Sequence, residues 1–254
     1  MRTFNGLRNV ISTLRGPEGC PWDRVQTHQS LRPFLLEEAS ETLEALDDGD
    51  PAQLCEELGD LLLEVLLQVQ IAEEAGEFGL ADVVHSVSDK LVRRHPHVFA
   101  DATAETPEAV VEQWEELKRE ERHGQSALTG IPGTLPALAH SQAMQRRASR
   151  AGFAWEEEEQ AWAALEEELG ELRQAETAEE RREEVGDALF ALAGLARWLE
   201  VDAEEALRST CREFRRLFQR LEVTVREQGR ELTEMTTAEK LALWEQVKRT
   251  PDHE

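Results

Sequence analysis

The spacing of apolar residues along the chain predicts helices almost throughout. The N-terminal apolar residues recur at helical spacing, from Phe4 to Leu14. Further helical runs are predicted at about residues 30–46, 51–74, 80–94 and 106–122. Ala, Leu, Glu, Arg and Gln, which are good helix formers, dominate, and tyrosine is absent. The pattern therefore predicts an all-α protein.

Glycine and proline divide this helical pattern near the middle of the chain. Between His123 and Pro136 they interrupt it repeatedly, which predicts a linker. We therefore expect an N-terminal helical domain at residues 1–123, a linker at 124–136 and a C-terminal helical domain at 137–254.

The two predicted domains carry the same features in the same order. A Gly-x-x-Trp motif begins at residues 19 and 152, and Glu-Glu-x-x-Glu begins at 37 and 167. A Glu-Glu-Leu/Val-Gly-Asp motif begins at 56 and 183, and Trp-x-x-x-Lys begins at 114 and 244. Composition does not easily produce four features in one order. The sequence therefore predicts a duplicated four-helix unit.

The charge balance limits the partners that the protein can bind. The 28 lysines and arginines stand against 53 aspartates and glutamates, a net charge of −25. Such a chain repels a nucleic acid polymer and an anionic membrane surface, so we expect neither as a partner. An acidic protein can still handle anionic substrates through divalent cations.

The cysteines and the apolar segments bear on the compartment. Cys20, Cys55 and Cys211 lie far apart, and this odd count favours a reducing compartment and provides no zinc knuckle. No segment has the length of a membrane span or the form of a signal peptide. We expect a soluble cytoplasmic protein.

Regularly spaced carboxylates are the candidate chemistry. On a helical wheel Glu184 and Asp187 fall among apolar residues, and Glu57, Asp60 and Glu64 form one stripe. An E-E-x-x-E helix and an E-x-x-D helix can direct several oxygen ligands to one point. A histidine-free, all-oxygen set favours magnesium or manganese over zinc or iron. The alternative is that these acids cap helices or form solvated faces.

Several segments resemble the MazG nucleoside triphosphate pyrophosphohydrolases in their two-domain form. These segments are Gly19–Asp23, Gln26–His28, Ser30–Arg32, Leu36–Glu38, Glu56–Leu62 and Asp89–Phe99. The resemblance implies an all-α homodimer that binds magnesium, with manganese as a substitute, and hydrolyses a nucleoside triphosphate to its monophosphate and pyrophosphate. It also suggests a house-cleaning role in the nucleotide pool.

The resemblance implies a metal-ligand set in each unit. The implied ligands are Glu38, Glu41, Glu57 and Asp60 in the first unit, and Glu168, Glu171, Glu184 and Asp187 in the second. Glu38 and Glu41 are the expected catalytic acids, and the identity of the general base stays open.

The resemblance also implies cations and aromatic residues beside the nucleotide. Lys90, Arg94, Lys118 and Lys248 are the expected catalytic phosphate contacts, while Trp114 and Trp244 are expected beside the base or ribose. The alternative for Trp114 and Trp244 is that they are core residues. The alternative for Arg94 is that it stands at a helix C-terminus, which favours a positive charge.

The second unit departs from the first at two of these cations. Glu213 stands opposite Lys90 in the repeat, and Leu217 stands opposite Arg94.

A second function class is also kept open, a helical interaction module whose structural magnesium sites accompany docking to a basic protein. Lys90, Arg94 and Lys118 argue against it, because a purely structural cation would not need them.

Overall fold

The computed structural model describes residues 3–121 and 124–249, and the expected domain ends at residues 123 and 254 lie outside them. All regular structure in these ranges is helical, which confirms the all-α prediction. A short 3₁₀ turn at Leu232–Glu234 also occurs. The α-helices are α1 Phe4–Arg15, α2 Pro21–Arg24, α3 Arg32–Asp48, α4 Pro51–Ala75, α5 Leu80–Arg94, α6 Pro96–Phe99, α7 Pro107–Glu121, α8 Ala137–Arg150, α9 Glu158–Gln174, α10 Ala178–Trp198, α11 Ala203–Glu227 and α12 Thr237–Arg249.

The chain divides into two compact units, Met1–Glu120 and Glu121–Glu254. In the first unit α3 packs along α4, and α1 and α5 also contact α4. The core contains Ile11, Leu31 and the adjacent pair Leu66 and Leu67, with Phe34 packed against it. Helix α4 is therefore the central element of this unit.

Local sequence signals set the ends of α4. The Asp50 carboxylate accepts hydrogen bonds from the backbone N–H groups of Ala52 and Gln53, and Pro51 occupies the first turn. Gly76 ends the helix in the left-handed region at φ 70°, a conformation that costs glycine little. These caps fix the register at which the α4 acids face α3.

Arginines on α1 hold the Gly-x-x-Trp segment against the end of α4. The Arg15 guanidinium lies 2.8 Å from a Glu74 carboxylate oxygen and donates to the backbone carbonyl of Asp23 at 2.5 Å. Arg8 forms a second ion pair, with Glu73, at 2.6 Å. The first motif of the repeat is thereby fixed to the helix that carries the E-x-x-D acids.

In the second unit α9 packs along α10, while α8 contacts both α10 and α11. Ala161, Leu165 and Leu195 form the core between α9 and α10. A separate cluster between α11 and α12 comprises Leu217, Leu221, Val225, Met235, Leu243 and Val247. The α9–α10 pair carries the acids in this unit.

A buried glutamine holds the C-terminal end of α10. The Gln142 side chain donates to the carbonyls of Ala193 and Val201 at 3.2 and 2.9 Å, and it accepts from Ala203 N–H at 3.1 Å. Because a buried amide without partners would be costly, these three bonds fix α8 against the turn between α10 and α11.

Apolar residues remain exposed on the helices that carry the acids. Leu58 and Val65 on α4 are exposed, as are Val185, Leu189 and Leu192 on α10. These residues lie on sides of α4 and α10 that the rest of the same unit does not cover. Within the described residues, no helix is long and apolar enough to cross a membrane.

We predict a pH-dependent contribution from Glu239, which caps α12. Hydrogen bonds from Thr236 and Arg230 lower the pKa of Glu239 to about 2. Its stabilising effect is therefore complete above the unfolded pKa of about 4.3 and is lost as pH falls toward 2. Glu239→Gln should lower the thermal midpoint at pH 7 and leave it progressively less changed below pH 4. Melting of both proteins across this range checks the prediction, and a pH-independent difference would contradict it.

Candidate metal centres

The first cluster of acids lies between α3 and α4. Glu38 and Glu41 project from α3 and Glu57 from α4, and each offers a carboxylate oxygen within 4.8 Å of the other two. The Thr42 hydroxyl donates to the Glu38 carbonyl at 2.8 Å and lies 3.5 Å from the Glu57 carbonyl oxygen. Thr42 thus joins the two helix backbones beside the cluster.

Asp60 is a charged neighbour of this group. Burial raises the pKa of Glu38 most, followed by the negative charges of Asp60, Glu41 and Glu57. The pKa of Glu57 is raised by burial and by its acidic neighbours, including Glu41 and Asp60. Every charged neighbour that shifts these two pKa values is therefore another carboxylate.

The second cluster repeats this arrangement between α9 and α10. Glu168 and Glu171 come from α9 and Glu184 from α10, with one oxygen from each again within 4.8 Å of the others. Burial and then Asp187 raise the pKa of Glu168, while burial and then Glu171 raise the pKa of Glu184. One Glu184 oxygen, Oε2, is buried and has no hydrogen-bond partner within the described part of the chain.

A cavity opens beside the second cluster. Its volume is about 210 Å³, and Glu168 and Asp187 form part of its lining together with Gln145, Trp155 and Phe190. The same three non-acidic residues also line a neighbouring apolar cavity of about 450 Å³. The spacing of the acids did not predict these cavities, because their walls come from α8 and the Gly-x-x-Trp segment as well as α10.

Both clusters have the chemistry of a site for a hard cation. When partly desolvated carboxylates are close together and all ionised, they repel one another and the arrangement is unfavourable. A divalent cation bound among them offsets that repulsion. The buried Glu184 oxygen without a partner fits this reading, because a metal would complete its coordination. The solvated-face alternative draws on the exposure of Glu41, Asp60, Glu171 and Asp187.

The predicted phosphate contacts of the first unit lie around α5 and α7. Exposed Lys90 lines a separate cavity of about 400 Å³ with Asp82 and Phe78. The Lys118 ammonium lies 5.8 Å from the centre of the Trp114 ring, which packs edge-on against His95 at 4.9 Å. These contacts connect Trp114 and Lys118 with the segment that follows α5.

The remaining predicted contacts have other described surroundings. Arg94 is half-buried at the C-terminal end of α5. Lys248 forms an ion pair with Glu245 at 2.6 Å, and Trp244 packs against the α11–α12 core with its ring 5.3 Å from Phe214. The structure thus brings three of the four predicted ligands of each unit together, and the described contacts of Trp244 and Lys248 lie outside those clusters.

Two histidines contact glutamine side chains of neighbouring helices. His28, in the loop before α3, contacts the Gln68 side chain on α4. His97 on α6 contacts the side-chain amide oxygen of Gln113 on α7 at 2.8 Å. These contacts connect the loop before α3 to α4, and α6 to α7.

Comparison with known proteins identifies related sequences. Residues 26–99 match the MazG nucleotide pyrophosphohydrolase domain. The chain is 41% identical to the nucleoside triphosphate pyrophosphohydrolase/pyrophosphatase MazG of Thermotoga maritima, over 96% of this chain and 95% of that protein. It is also 41% identical to the nucleoside triphosphate pyrophosphohydrolase of Escherichia coli K12, over 98% of each chain.

We predict that Asp187→Asn separates metal binding from folding in the second cluster. The comparison is made in a protein that already carries Asp60→Asn. There, Asp187→Asn removes a negative charge that raises the pKa of Glu168 and Glu184, so the thermal midpoint without metal should equal or exceed that of the Asp60→Asn protein. The amide is a weaker ligand, so the magnesium-induced rise should be lost. A cation at 100 times its dissociation constant stabilises a protein by about 2.7 kcal/mol.

The matched control is Glu166→Gln in the same background. Glu166 lies exposed on α9, outside the cluster, so its neutralisation should leave the magnesium-induced rise intact. Melting curves with and without magnesium provide the comparison. An undiminished rise in Asp187→Asn would show that Asp187 is not a ligand.

Proposed function

Because the chain belongs to the MazG family of nucleoside triphosphate pyrophosphohydrolases, we propose that each carboxylate cluster is a magnesium-dependent hydrolytic centre. The protein is a hydrolase that acts on nucleoside triphosphates. The observation that supports the proposed location is the convergence of three glutamate oxygens within 4.8 Å in each unit. The interaction-module hypothesis has no comparable support.

The residues that would hold magnesium are the two sets expected from the sequence. They are Glu38, Glu41, Glu57 and Asp60 in the first unit, and Glu168, Glu171, Glu184 and Asp187 in the second. When bound, magnesium supplies charge neutralisation for the triphosphate and for the departing pyrophosphate.

The chain itself supplies the proton acceptor. A water molecule that attacks the α-phosphorus must lose a proton, and a carboxylate beside it can accept that proton. We propose that an acid of the E-E-x-x-E motif accepts it, Glu38 or Glu41 in the first unit and Glu168 or Glu171 in the second, because these acids lie in the clusters that would hold the cation.

Positive groups are needed beside the triphosphate because the acids alone would repel it. Lys90, Arg94 and Lys118 are the proposed phosphate contacts of the first unit, and Lys248 is the proposed contact of the second. Family resemblance and this electrostatic need are their support. For Trp114 and Trp244 we keep the proposal that they lie by the base or ribose.

We propose that the domains at residues 1–123 and 137–254 each carry one centre, connected by the linker at 124–136. The separate clusters in Met1–Glu120 and Glu121–Glu254 support a division of this kind. The biological role that fits this activity is house-cleaning of the nucleotide pool.

We predict hydrolysis at the α-phosphorus, which distinguishes this reaction from removal of the terminal phosphate. In water enriched in oxygen-18, the heavy oxygen should enter the nucleoside monophosphate, with unlabelled pyrophosphate as the second product. Mass spectrometry of the products checks this outcome, with a metal-chelated reaction as the control. Nucleoside diphosphate and orthophosphate as products would contradict it.

We predict a homodimer because apolar residues of α4 and α10 are exposed on a single chain. Leu58 and Leu189 are both about half exposed, and neighbouring apolar residues extend these surfaces. A second copy would bury such faces. Light scattering at micromolar concentration should give about twice the chain mass of 28.8 kDa. A mass equal to one chain would contradict the prediction.

A further inference from the structure

An arginine that the proposed reaction does not use lines the apolar cavity of about 450 Å³ in the second unit. Arg197 is the only charged residue among the described residues of this lining. Three of the others are aromatic, Phe153, Trp155 and Phe190, and all three are exposed, so the aromatic walls reach the surface. The cavity thus combines flat apolar walls with one positive group, and its volume lies within the range of small-molecule pockets.

The surroundings of Arg197 leave its guanidinium able to bind a ligand. Its Nε atom is buried and has no hydrogen-bond partner in the described part of the chain. Burial, and then the positive charge of Arg146, lower the pKa of Arg197. The guanidinium carbon lies 5.8 Å from the centre of the Trp198 ring, which packs against the α9–α10 core. Because an arginine stays protonated in proteins, its N–H groups favour a ligand that supplies acceptors.

The position of this cavity relates it to the acids. Gln145, Trp155 and Phe190 line both this cavity and the 210 Å³ cavity that Glu168 and Asp187 help to form. A nucleotide whose phosphates lie at the acids can therefore extend its other end into the apolar cavity. That end of a nucleotide is a flat base, and aromatic walls suit a base because the rings stack.

The repeat shows why this space exists in the second unit. With the acid motifs of the two units aligned, larger residues of the first unit stand opposite smaller residues of the second. The pairs are Phe34 and Ala164, Glu64 and Ala191, and Leu67 and Gly194. The three larger side chains are buried or pack against the core of the first unit, whereas the three smaller residues line the 210 Å³ cavity. The corresponding position is thus filled in the first unit and open in the second.

We propose that the apolar cavity of the second unit holds the nucleobase and that Arg197 makes this unit prefer 6-oxopurines, as in GTP and ITP, over adenine. A guanidinium can donate to both the O6 and the N7 acceptors of such a purine, whereas adenine presents an amino donor at position 6. The aromatic walls contact any base, so the preference comes from Arg197. With the base in this cavity, the ribose is the part of the nucleotide left for Trp244. The inference rests on the metal centre proposed for the second unit.

Binding of nucleotides that resist hydrolysis tests this inference without reference to activity. The probes are the α,β-methylene analogues of GTP, ITP and ATP, titrated calorimetrically with magnesium into the full chain carrying Asp60→Asn, which removes a proposed ligand of the first unit. The GTP and ITP analogues should bind on the order of tenfold more tightly than the ATP analogue. The 7-deaza form of the GTP analogue should lose part of this advantage, because it lacks the N7 acceptor.

Two matched variants test the role of the guanidinium. Arg197→Met, which keeps an unbranched side chain and removes the donors, should lower the affinity for the GTP analogue to that for the ATP analogue. Arg146→Met is the control, because Arg146 is exposed and lies outside the lining, and it should keep the preference. The 7-deaza comparison needs no change at Arg197, so it tests the contact even if Arg197→Met fails to fold.

The outcomes separate this inference from the proposed metal centre. Magnesium-dependent binding with equal affinity for all three analogues would overturn the inference and leave the metal centre supported. A preference that survives Arg197→Met, or that 7-deaza substitution leaves unchanged, would overturn the role of Arg197. Absence of magnesium-dependent binding for every analogue would overturn the metal centre of the second unit and the inference with it.

Discussion

The structure depends on bringing like charges together at the contact between two packed helices. One carboxylate oxygen from each of Glu38, Glu41 and Glu57 lies within 4.8 Å of the other two, although the three charges repel one another. Packing of α3 along α4 and the hydrogen bonds of Thr42 support this arrangement at the backbone. An ordinary helix pair would place such acids outward in water, where repulsion is weaker. Their convergence is understandable when a cation is the missing partner.

The periodicity of the sequence was sufficient to predict the helical class, whereas the full set of acids in each unit was expected only from the resemblance to the MazG family. Pro51 and Asp50 marked the start of α4, and residue spacing placed Glu57 and Asp60 on one face. Residues three and four apart share a helix face, so the repeated motifs showed that an E-E-x-x-E helix and an E-x-x-D helix could direct their acids to one point. The structure adds that α3 packs along α4 and α9 along α10.

Other features depend on three-dimensional contacts that a helical wheel does not contain. Asp187 lies among apolar residues on the helical wheel, and yet it is exposed. Its apolar neighbours Leu189 and Phe190 are exposed as well, so an apolar face on the wheel does not by itself predict burial. Glu64 belonged to the predicted stripe, yet only the packed structure shows that it is buried and that its Oε2 atom has no hydrogen-bond partner among the described residues. The cavity walls come from segments distant in sequence, so Gln145 and Trp155 could not be combined from spacing alone.

Duplication has produced two sites that share acids but differ around them. The first unit has the buried acid Glu64, and the second has Ala191 and an adjoining cavity. The second unit also replaces Lys90 and Arg94 by Glu213 and Leu217. A common helix pair can therefore keep the same acidic cluster while the residues around it differ in charge and in the space that they leave.

The most direct test of the central claim is a crystal structure of the manganese-soaked protein, with anomalous scattering measured near the manganese edge. We expect anomalous density coordinated by the α3–α4 acids and by the α9–α10 acids. Well-ordered clusters without such density, their carboxylates turned to solvent or to basic side chains, would contradict it.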